Sequence, residues 1–263
     1  MHNPVDTWDD YRSFNQAIAD VFFSRDMAGL PVYLDFDEDT LALIGQQLNM
    51  PTDKVWDSLT ESVLGMLSLQ AQRGDVFSIP LSRTRQWIRS WQSTPRGDRK
   101  NLPAPPVLAL LAVFSMAAEL MGSDSTMAAG NYFGRLCQLL RVDDEQQKER
   151  LTKYYRRRVE LFWNVLGLWL TGLDGMRGLP SAVALSHRYI GLSMSQALVR
   201  EHDRRKLPAS LLCTVWTLAQ RSHRARSSRI SRIGWHASLR LSARISSASG
   251  ADSLPLVSGS RAW

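Results

Sequence analysis

The sequence predicts a mainly α-helical protein: a multi-helix bundle with a small winged-helix-like N-terminal part and a disordered C-terminal tail. Three observations carry this prediction. Apolar residues recur every three to four positions in several segments, which is the spacing that lines one face of a helix. Few segments alternate in the way that indicates strands. The C-terminal end shows no sustained apolar period, and it is rich in serine and arginine.

The chain is expected to divide into four parts. Residues 1–92 form a helical, winged-helix-like domain, 93–106 a linker, 107–207 a helical domain and 208–263 the Arg/Ser-rich tail. The linker, STPRGDRKNLPAPP, is dense in proline, glycine and charge, which is typical of a domain boundary. The apolar content of 44% is ample for a sizeable core.

The N-terminal region begins with a predicted helix. Thr7 with Asp10 resembles a capping box, a motif that starts helices. Gly29 and Pro31 end the pattern, and residues 31–36 are a strand candidate. The apolar stripe of the helix consists of Trp8, Tyr11, Phe14, Ile18, Val21 and Phe22.

Alternating aspartates follow this strand candidate. The pattern resembles the nucleophile loop of haloacid-dehalogenase-like phosphatases, in which one carboxylate attacks phosphorus and others hold magnesium. Asp35 and Asp37 would then form the site. However, the threonine falls one place late, at Thr40, and no series of parallel strands follows. We therefore expect Asp37 or Asp39 to cap the next helix, and we predict no enzyme, metal or cofactor site.

Residues 41–59 have the outline of a helix-turn-helix unit. Asn49 to Pro51 form the turn, and Thr52 or Asp53 is expected to cap the second helix. Residues 76–79 are a strand candidate ended by Pro80. Helices followed by a small β element are the order of a winged helix. The alternative is a helical subdomain with a stray hairpin.

The segment SRTRQWIRSW, residues 82–91, interleaves cations with rings. Arg83, Arg85 and Arg89 alternate with Trp87 and Trp91, and single-stranded nucleic acid is bound by such combinations. On a helix, however, the two tryptophans share one face, so we favour burial of the rings in the core and solvation of the arginines. The arginines remain candidate nucleic-acid contacts.

The predicted C-terminal domain is built on two helices. Residues 107–122 are almost entirely apolar, which indicates a central buried helix. A long amphipathic helix follows from Asp143, Asp144 and Glu145, acids that favour a helix start. Three glycines, at 172, 175 and 178, end it. Its predicted buried stripe consists of Leu151, Tyr155, Val159, Phe162, Leu166 and Trp169.

Residues 181–206 contain a second helix-turn-helix outline, with its turn at Gly191. If the second helix enters the major groove, Ser195, Gln196 and Arg200 would face base edges. Arg204 and Arg205 would then reach phosphates. The alternative is an ordinary helical hairpin that packs on the long helix.

Charge is concentrated in the tail. Residues 209–263 hold eight arginines and one acid, Asp252, so the rest of the chain has no net charge. The net charge of +7 is therefore no evidence that the folded part is basic. We expect disorder in the tail and infer no nucleic-acid binding from its arginines.

Several other classes of protein are not indicated. Cys137 and Cys213 form neither a disulfide framework nor a zinc pattern. The N-terminus lacks the pattern of a signal peptide, and no apolar run is long enough to span a bilayer. We expect a cytoplasmic protein.

The sequence thus predicts a non-catalytic, nucleic-acid-associated binding component, with DNA as the candidate ligand, in a larger bacterial-type assembly. The alternative is a structural adaptor that contacts only proteins.

Overall fold

The computed structural model describes residues 4–71, 73–121 and 129–180, which all fall within one compact unit. These residues are mainly helical, which confirms the predicted fold class. The helices are α1 (Pro4–Phe22), α2 (Glu38–Gln47), α3 (Thr52–Met66), α4 (Ser78–Ser93), α5 (Leu108–Leu120), α6 (Ala129–Leu139) and α7 (Glu145–Gly172). Short 3-10 helices span Arg25–Met27 and Arg96–Asn101, and the strands are β1 (Pro31–Val32) and β2 (Leu179–Pro180).

Helix α5 lies at the centre of the packing, in contact with α1, α3, α6 and α7. Every residue from Leu108 to Ser115 is buried. A helix that is apolar on all sides is stable only where all sides are covered. Phe114 packs edge-on against Phe77 and Tyr155, which ties α5 to the start of α4 and to α7. The predicted central helix is confirmed.

Helix α7 is the longest described element. Asp144 is its N-cap, and the carboxylate accepts a hydrogen bond from the Gln147 amide at 2.9 Å. The helix ends at Gly172, and Asp174 and Gly175 then adopt positive φ angles of 55° and 75°. All six residues of the predicted apolar stripe are buried, so this helix is confirmed: Leu151, Tyr155, Val159, Phe162, Leu166 and Trp169.

Helix α1 carries polar side chains that hold the segment before α5. Tyr11 donates from its hydroxyl to the carbonyl of Pro106 at 3.1 Å, and Asn15 donates to the carbonyl of Pro105 at 2.9 Å. The predicted capping box is wrong, because α1 begins at Pro4. Thr7 and Asp10 therefore lie inside the helix, where no unpaired N-terminal amides remain to be capped.

The predicted linker, residues 93–106, makes further contacts. The Trp87 indole donates to the carbonyl of Pro103 at 2.9 Å. Part of the segment forms the 3-10 helix Arg96–Asn101. Polar backbone atoms of a proline-rich stretch are thus hydrogen-bonded by α1 and α4 side chains. The domain boundaries on either side of this segment stay a prediction.

The strand predicted over residues 31–36 forms only at Pro31–Val32, which pair in parallel with Leu179–Pro180. Gly178 precedes β2 with φ of +93°, and a Cβ there would collide with the Val32 side chain. Only glycine fits this close approach without strain. The pair brings the end of the described chain back to the loop after α1.

The strand predicted over residues 76–79 is wrong, because α4 begins at Ser78. Asp75 accepts hydrogen bonds from the amides of Phe77 and Ser78, at 2.9 and 3.0 Å, and so turns the chain into the helix. Val76 and Phe77 are both buried, and the Phe77 ring packs against Phe114 of α5 and Phe162 of α7. The winged-helix interpretation loses its β element in this part of the chain.

Helices α2 and α3 are joined by a short turn and contact each other; that they act as a helix-turn-helix unit stays a prediction. Asn49 has a positive φ of 51°, and the Met50 amide donates to the carbonyl of Gly45 at 2.8 Å. The predicted cap of α3 is wrong. Its N-cap position is Pro51, with no side-chain hydrogen bond, and Thr52 is already the first helical residue.

Candidate functional site

Helix α4 carries the three predicted nucleic-acid contacts that lie within the described residues. Arg83, Arg85 and Arg89 are all exposed. The helix contains no acidic residue. Pro80 lies in its first turn, where a missing amide proton costs no helix hydrogen bond. The result is a helix with an uncharged buried face and an outer face whose charges are all positive.

The tryptophans of α4 are core residues, as the sequence favoured. Trp87 and Trp91 are 7% and 1% exposed, and their rings stack with centroids 5.0 Å apart. Trp91 lies against Gly172, where a Cβ would be only 2.5 Å from the indole. Neither ring is accessible to a nucleobase, so stacking on α4 is excluded.

The three arginines have few partners within the described chain. The Arg83 guanidinium lies 4.3 Å from the ring centroid of Trp8, a cation–π contact with α1. Arg89 donates from Nε to the carbonyl of Arg85 at a long 3.4 Å. None of the three forms an ion pair with a described residue. Their charges are therefore not neutralised by described neighbours.

The 3-10 helix after α4 extends the positive charge. Arg96 pairs with Asp174 at 2.6 Å, and the Arg99 guanidinium lies 5.1 Å from the Trp91 ring centroid. Lys100 is exposed. Residues 78–101 contain six basic residues and one acid, Asp98. This segment is the candidate polyanion-binding surface of the described chain.

The α2–α3 pair is unsuited to contact phosphates. Between residues 37 and 66 there is one basic residue, Lys54, against six acids: Asp37, Glu38, Asp39, Asp53, Asp57 and Glu61. A recognition helix enters the major groove between two rows of phosphates, where carboxylates are repelled. The charge of the α2–α3 pair therefore has the wrong sign for DNA.

Asp37 acts as the N-cap of α2. Its Oδ1 accepts hydrogen bonds from both the amide and the hydroxyl of Thr40, each at 2.9 Å. The Thr40 hydroxyl also donates to the backbone carbonyl of Asp35 at 3.1 Å. Within residues 4–71, 73–121 and 129–180, no group of three or more His, Cys, Asp or Glu could hold a metal ion.

Replacing Asp37 with alanine is expected to lower the free energy of unfolding by about 1 kcal/mol, because the Thr40 amide loses its partner. Asp39→Ala is the matched control, since Asp39 lies in the first turn and makes no capping bond. It is expected to cost no more than a few tenths of a kcal/mol. Urea denaturation followed by circular dichroism measures both. Magnesium-dependent phosphate release that disappears in Asp35→Asn would contradict a structural role for these aspartates.

An open cleft of about 430 Å³ lies at the junction of α6 and α7, lined by Cys137, Arg141 and Lys148 among others. Its cations are neutralised: Arg141 pairs with Asp57 and Glu61, both at 3.0 Å, and Lys148 pairs with Glu145 at 2.7 Å. Burial raises the pKa of the Cys137 thiol. A protonated thiol is a weak nucleophile.

The other predicted contacts lie outside the described residues. These are the base-facing and phosphate-facing groups of the second helix-turn-helix outline: Ser195, Gln196, Arg200, Arg204 and Arg205. The tail, from residue 208, lies outside them as well. Their predicted roles stay predictions.

Charge is also separated along the chain, a pattern that the total charge hides. Residues 1–66 carry twelve acids and three bases, whereas residues 73–180 carry sixteen bases and ten acids. A count over the whole chain before the tail gives zero, because the −9 of residues 1–66 is offset by the +6 of residues 73–180 and the +3 of residues 181–208. A count over shorter windows would have revealed an acidic α1–α3 region and a basic α4–α7 region.

Comparisons with known proteins add no assignment. No family model matches this chain, and neither curated proteins nor solved structures gave a match. None of the helices in the described part of the chain combines the length and apolar character that crossing a membrane requires.

Proposed function

We propose that this protein is a non-catalytic, nucleic-acid-associated binding component, and that α4 contacts the phosphate backbone. The observation that carries the proposal is the outer face of α4. It presents Arg83, Arg85 and Arg89, which have no ion-pair partner among the described residues, on a helix without acids.

Arginine suits this role because its guanidinium offers five donors in a planar fork that matches phosphate oxygens. Each phosphate that a cation neutralises releases a condensed counterion, which is the main source of sequence-independent affinity. An arginine that is already paired would first have to break its pair. The arginines on α4 have no ion pair to break, since Arg83 contacts the Trp8 ring and Arg89 donates to the Arg85 carbonyl.

The acidic α1–α3 region supports the same proposal, because it determines which side of the protein a nucleic acid can approach. Phosphates repel carboxylates, so a nucleic acid would approach the basic part of the protein and avoid the α2–α3 pair. Base contacts by Gln196 and Arg200, with phosphate contacts by Arg204 and Arg205, are a further proposal for residues 181–206.

Replacing Arg83, Arg85 and Arg89 together with glutamine is expected to weaken binding of duplex DNA to the full-length protein. The slope of log affinity against log salt should fall in magnitude by about 2 to 3, because each lost phosphate contact removes about 0.9. Fluorescence anisotropy titrations at several salt concentrations measure this slope. The tail arginines contribute equally to both proteins.

The matched control replaces three exposed cations of the acidic region, Arg12, Arg25 and Lys54, with glutamine. This variant has the same net charge as the α4 variant, so a general charge effect would change both equally. We expect its salt slope to stay close to that of the unmodified protein. Equal slopes in all three proteins would contradict phosphate contacts by α4.

The alternative function, a structural adaptor without nucleic-acid contact, is favoured by the acidity of α2 and α3. Exposed Glu38, Asp39 and Asp53 form no ion pair with a described residue and would suit a basic protein surface. If the full-length protein shows no salt-sensitive binding to any duplex or single strand, the adaptor function takes the place of the first.

A further inference from the structure

A second basic segment lies in the N-terminal half of α7. Residues 148–158, KERLTKYYRRR, hold six cations and one acid, Glu149. The charge run alone would indicate only a solvated helix face. The contacts of its members separate those that hold the fold together from those that do not.

Half of these cations serve the structure. Arg150 donates to the backbone carbonyls of Leu69 at 2.9 Å and of Ser68 and Gly74, both at 3.4 Å. Arg158 forms an ion pair with Asp75 at 2.6 Å, and the Asp75 side chain is only 15% exposed. These two arginines hold the loop between α3 and α4 against α7 through hydrogen bonds and an ion pair. Lys148 pairs with Glu145.

The other half have no such partners. Lys153, Arg156 and Arg157 are exposed, and none forms an ion pair or hydrogen bond with a described residue. Glu149 and Glu160 lie within one helical turn, at spacings where salt bridges form readily, yet no ion pair joins them to these cations. The three charges are available to an external anion.

A partly exposed ring lies among these cations. The Lys153 Nζ and the Arg157 Cζ are 5.9 and 5.8 Å from the ring centroid of Tyr154. Tyr154 is half-buried and packs against the core. Arg156 lies 5.2 Å from the ring centroid of Phe133, but that ring is only 8% exposed. Tyr154 is therefore the ring that a ligand could reach.

We infer that Lys153, Tyr154 and Arg157 form a binding site for single-stranded nucleic acid, in which Tyr154 stacks on a base and the two cations contact adjacent phosphates. Proteins that bind single strands combine a cationic track with aromatic rings because every base has a face that stacks. A duplex offers no free base face in its interior. This inference rests on the proposed function and adds a preference for the single-stranded form.

An anionic membrane is a poorer fit to the same cations. Interfacial helices insert large apolar side chains next to their basic residues. In the described part of the chain, the exposed large apolar side chains are Leu30, Leu43, Ile79 and Met176, and all of them lie outside α7.

The test compares two labelled probes, oligothymidylate and a DNA duplex of equal length, bound to full-length protein in anisotropy titrations. Tyr154→Leu is expected to weaken oligothymidylate binding by about 5- to 100-fold through loss of one stacked base, with duplex affinity unchanged. Tyr154→Phe keeps the ring and should bind both probes as the unmodified protein does. Equal losses on both probes, or no loss on oligothymidylate, would overturn the inference.

A second variant keeps the inference testable if Tyr154→Leu does not fold. Lys153→Gln with Arg157→Gln changes only exposed groups, and it should reduce the salt slope for oligothymidylate by about 1 to 1.5. Arg12→Gln with Arg25→Gln is the charge-matched control and should leave the slope unchanged. Equal slopes in the two double variants would overturn the site.

The outcomes also separate this inference from the proposed function. Loss of duplex binding in the α4 variant, with unchanged oligothymidylate binding in Tyr154→Leu, would remove only the α7 site. Selective loss in Tyr154→Leu, with no effect of the α4 variant on duplex binding, would remove only the α4 contacts.

Discussion

Replacing Asn15 with alanine is expected to lower the free energy of unfolding by about 3 kcal/mol. The side chain is 5% exposed and accepts hydrogen bonds from the amides of Leu108 at 2.8 Å and Ala109 at 3.3 Å. It also donates to the carbonyl of Pro105. Helix α5 has no side-chain cap of its own, so Asn15 supplies one from α1. Its removal leaves the two buried α5 amides without a partner, whereas the Pro105 carbonyl keeps its hydrogen bond from the Val107 amide. Urea denaturation measures the loss.

Two controls isolate the buried hydrogen bonds. Gln16 is exposed and bonds only to Asp20 on its own helix, so Gln16→Ala should cost less than about 0.5 kcal/mol. Asn15→Asp keeps the acceptor for the α5 amides but cannot donate to Pro105, and it should fall between the two. A loss below about 1 kcal/mol in Asn15→Ala would show that α5 does not depend on this cap.

Replacing Gly45 with alanine is expected to destabilise the protein by about 2 kcal/mol. A Cβ at this position would lie 2.7 Å from the carbonyl oxygen of Met50 and 3.0 Å from the Val55 side chain. The carbonyl belongs to the turn backbone and cannot move aside as a flexible side chain would. Helices α2 and α3 would therefore have to separate. Thermal unfolding and urea denaturation both report the change.

Gly167 provides a control with the opposite expected sign. It lies inside α7, and a Cβ there would meet nothing within 4 Å. Gly167→Ala should raise the free energy of unfolding by about 0.5–1 kcal/mol through helix propensity alone. If both substitutions stabilised the protein, close packing of the α2–α3 pair at Gly45 would be contradicted.

The helices that the sequence predicted best are those whose apolar pattern extends over several turns. The apolar stripe of α7 indicates a helix buried on one face, and the continuous apolar run of α5 indicates a helix buried on all sides. A local pattern is therefore sufficient to predict both helices. Gly172 and the acids before Glu145 also marked the ends of α7 closely. Such signals act within a few residues of the chain.

The predictions that failed depend on residues distant in sequence. Residues 76–79 have the composition of a strand, but Val76 and Phe77 are buried, with the Phe77 ring against α5 and α7, and Asp75 turns the chain into a helix. The cap of α5 comes from Asn15, 93 residues earlier. Thr7 and Thr52 look like caps because Ser, Thr and Asp suit such positions, but the helices begin earlier or without side-chain caps.

The basic residues of the candidate site could be predicted from the sequence, but their ion-pair and hydrogen-bond partners could not. The sequence places Arg83, Arg85 and Arg89 on one basic helix and favours burial of the adjacent tryptophans. It does not tell which cations are neutralised, because the pairs of Arg150 and Arg158 join α7 to a loop more than 70 positions away. The unpaired group around Tyr154 therefore emerges only from the folded arrangement.

The pairing of Pro31–Val32 with Leu179–Pro180 has a consequence for synthesis of the chain. At about 5–20 residues per second, the ribosome needs about 7–30 seconds to make the residues between the two strands. During that interval the loop after α1 lacks the partner that completes it. Contacts this distant in sequence also form slowly after release, since the intervening chain must close as a loop. We therefore expect the N-terminal helices to assemble first and the strand pair to close the fold last.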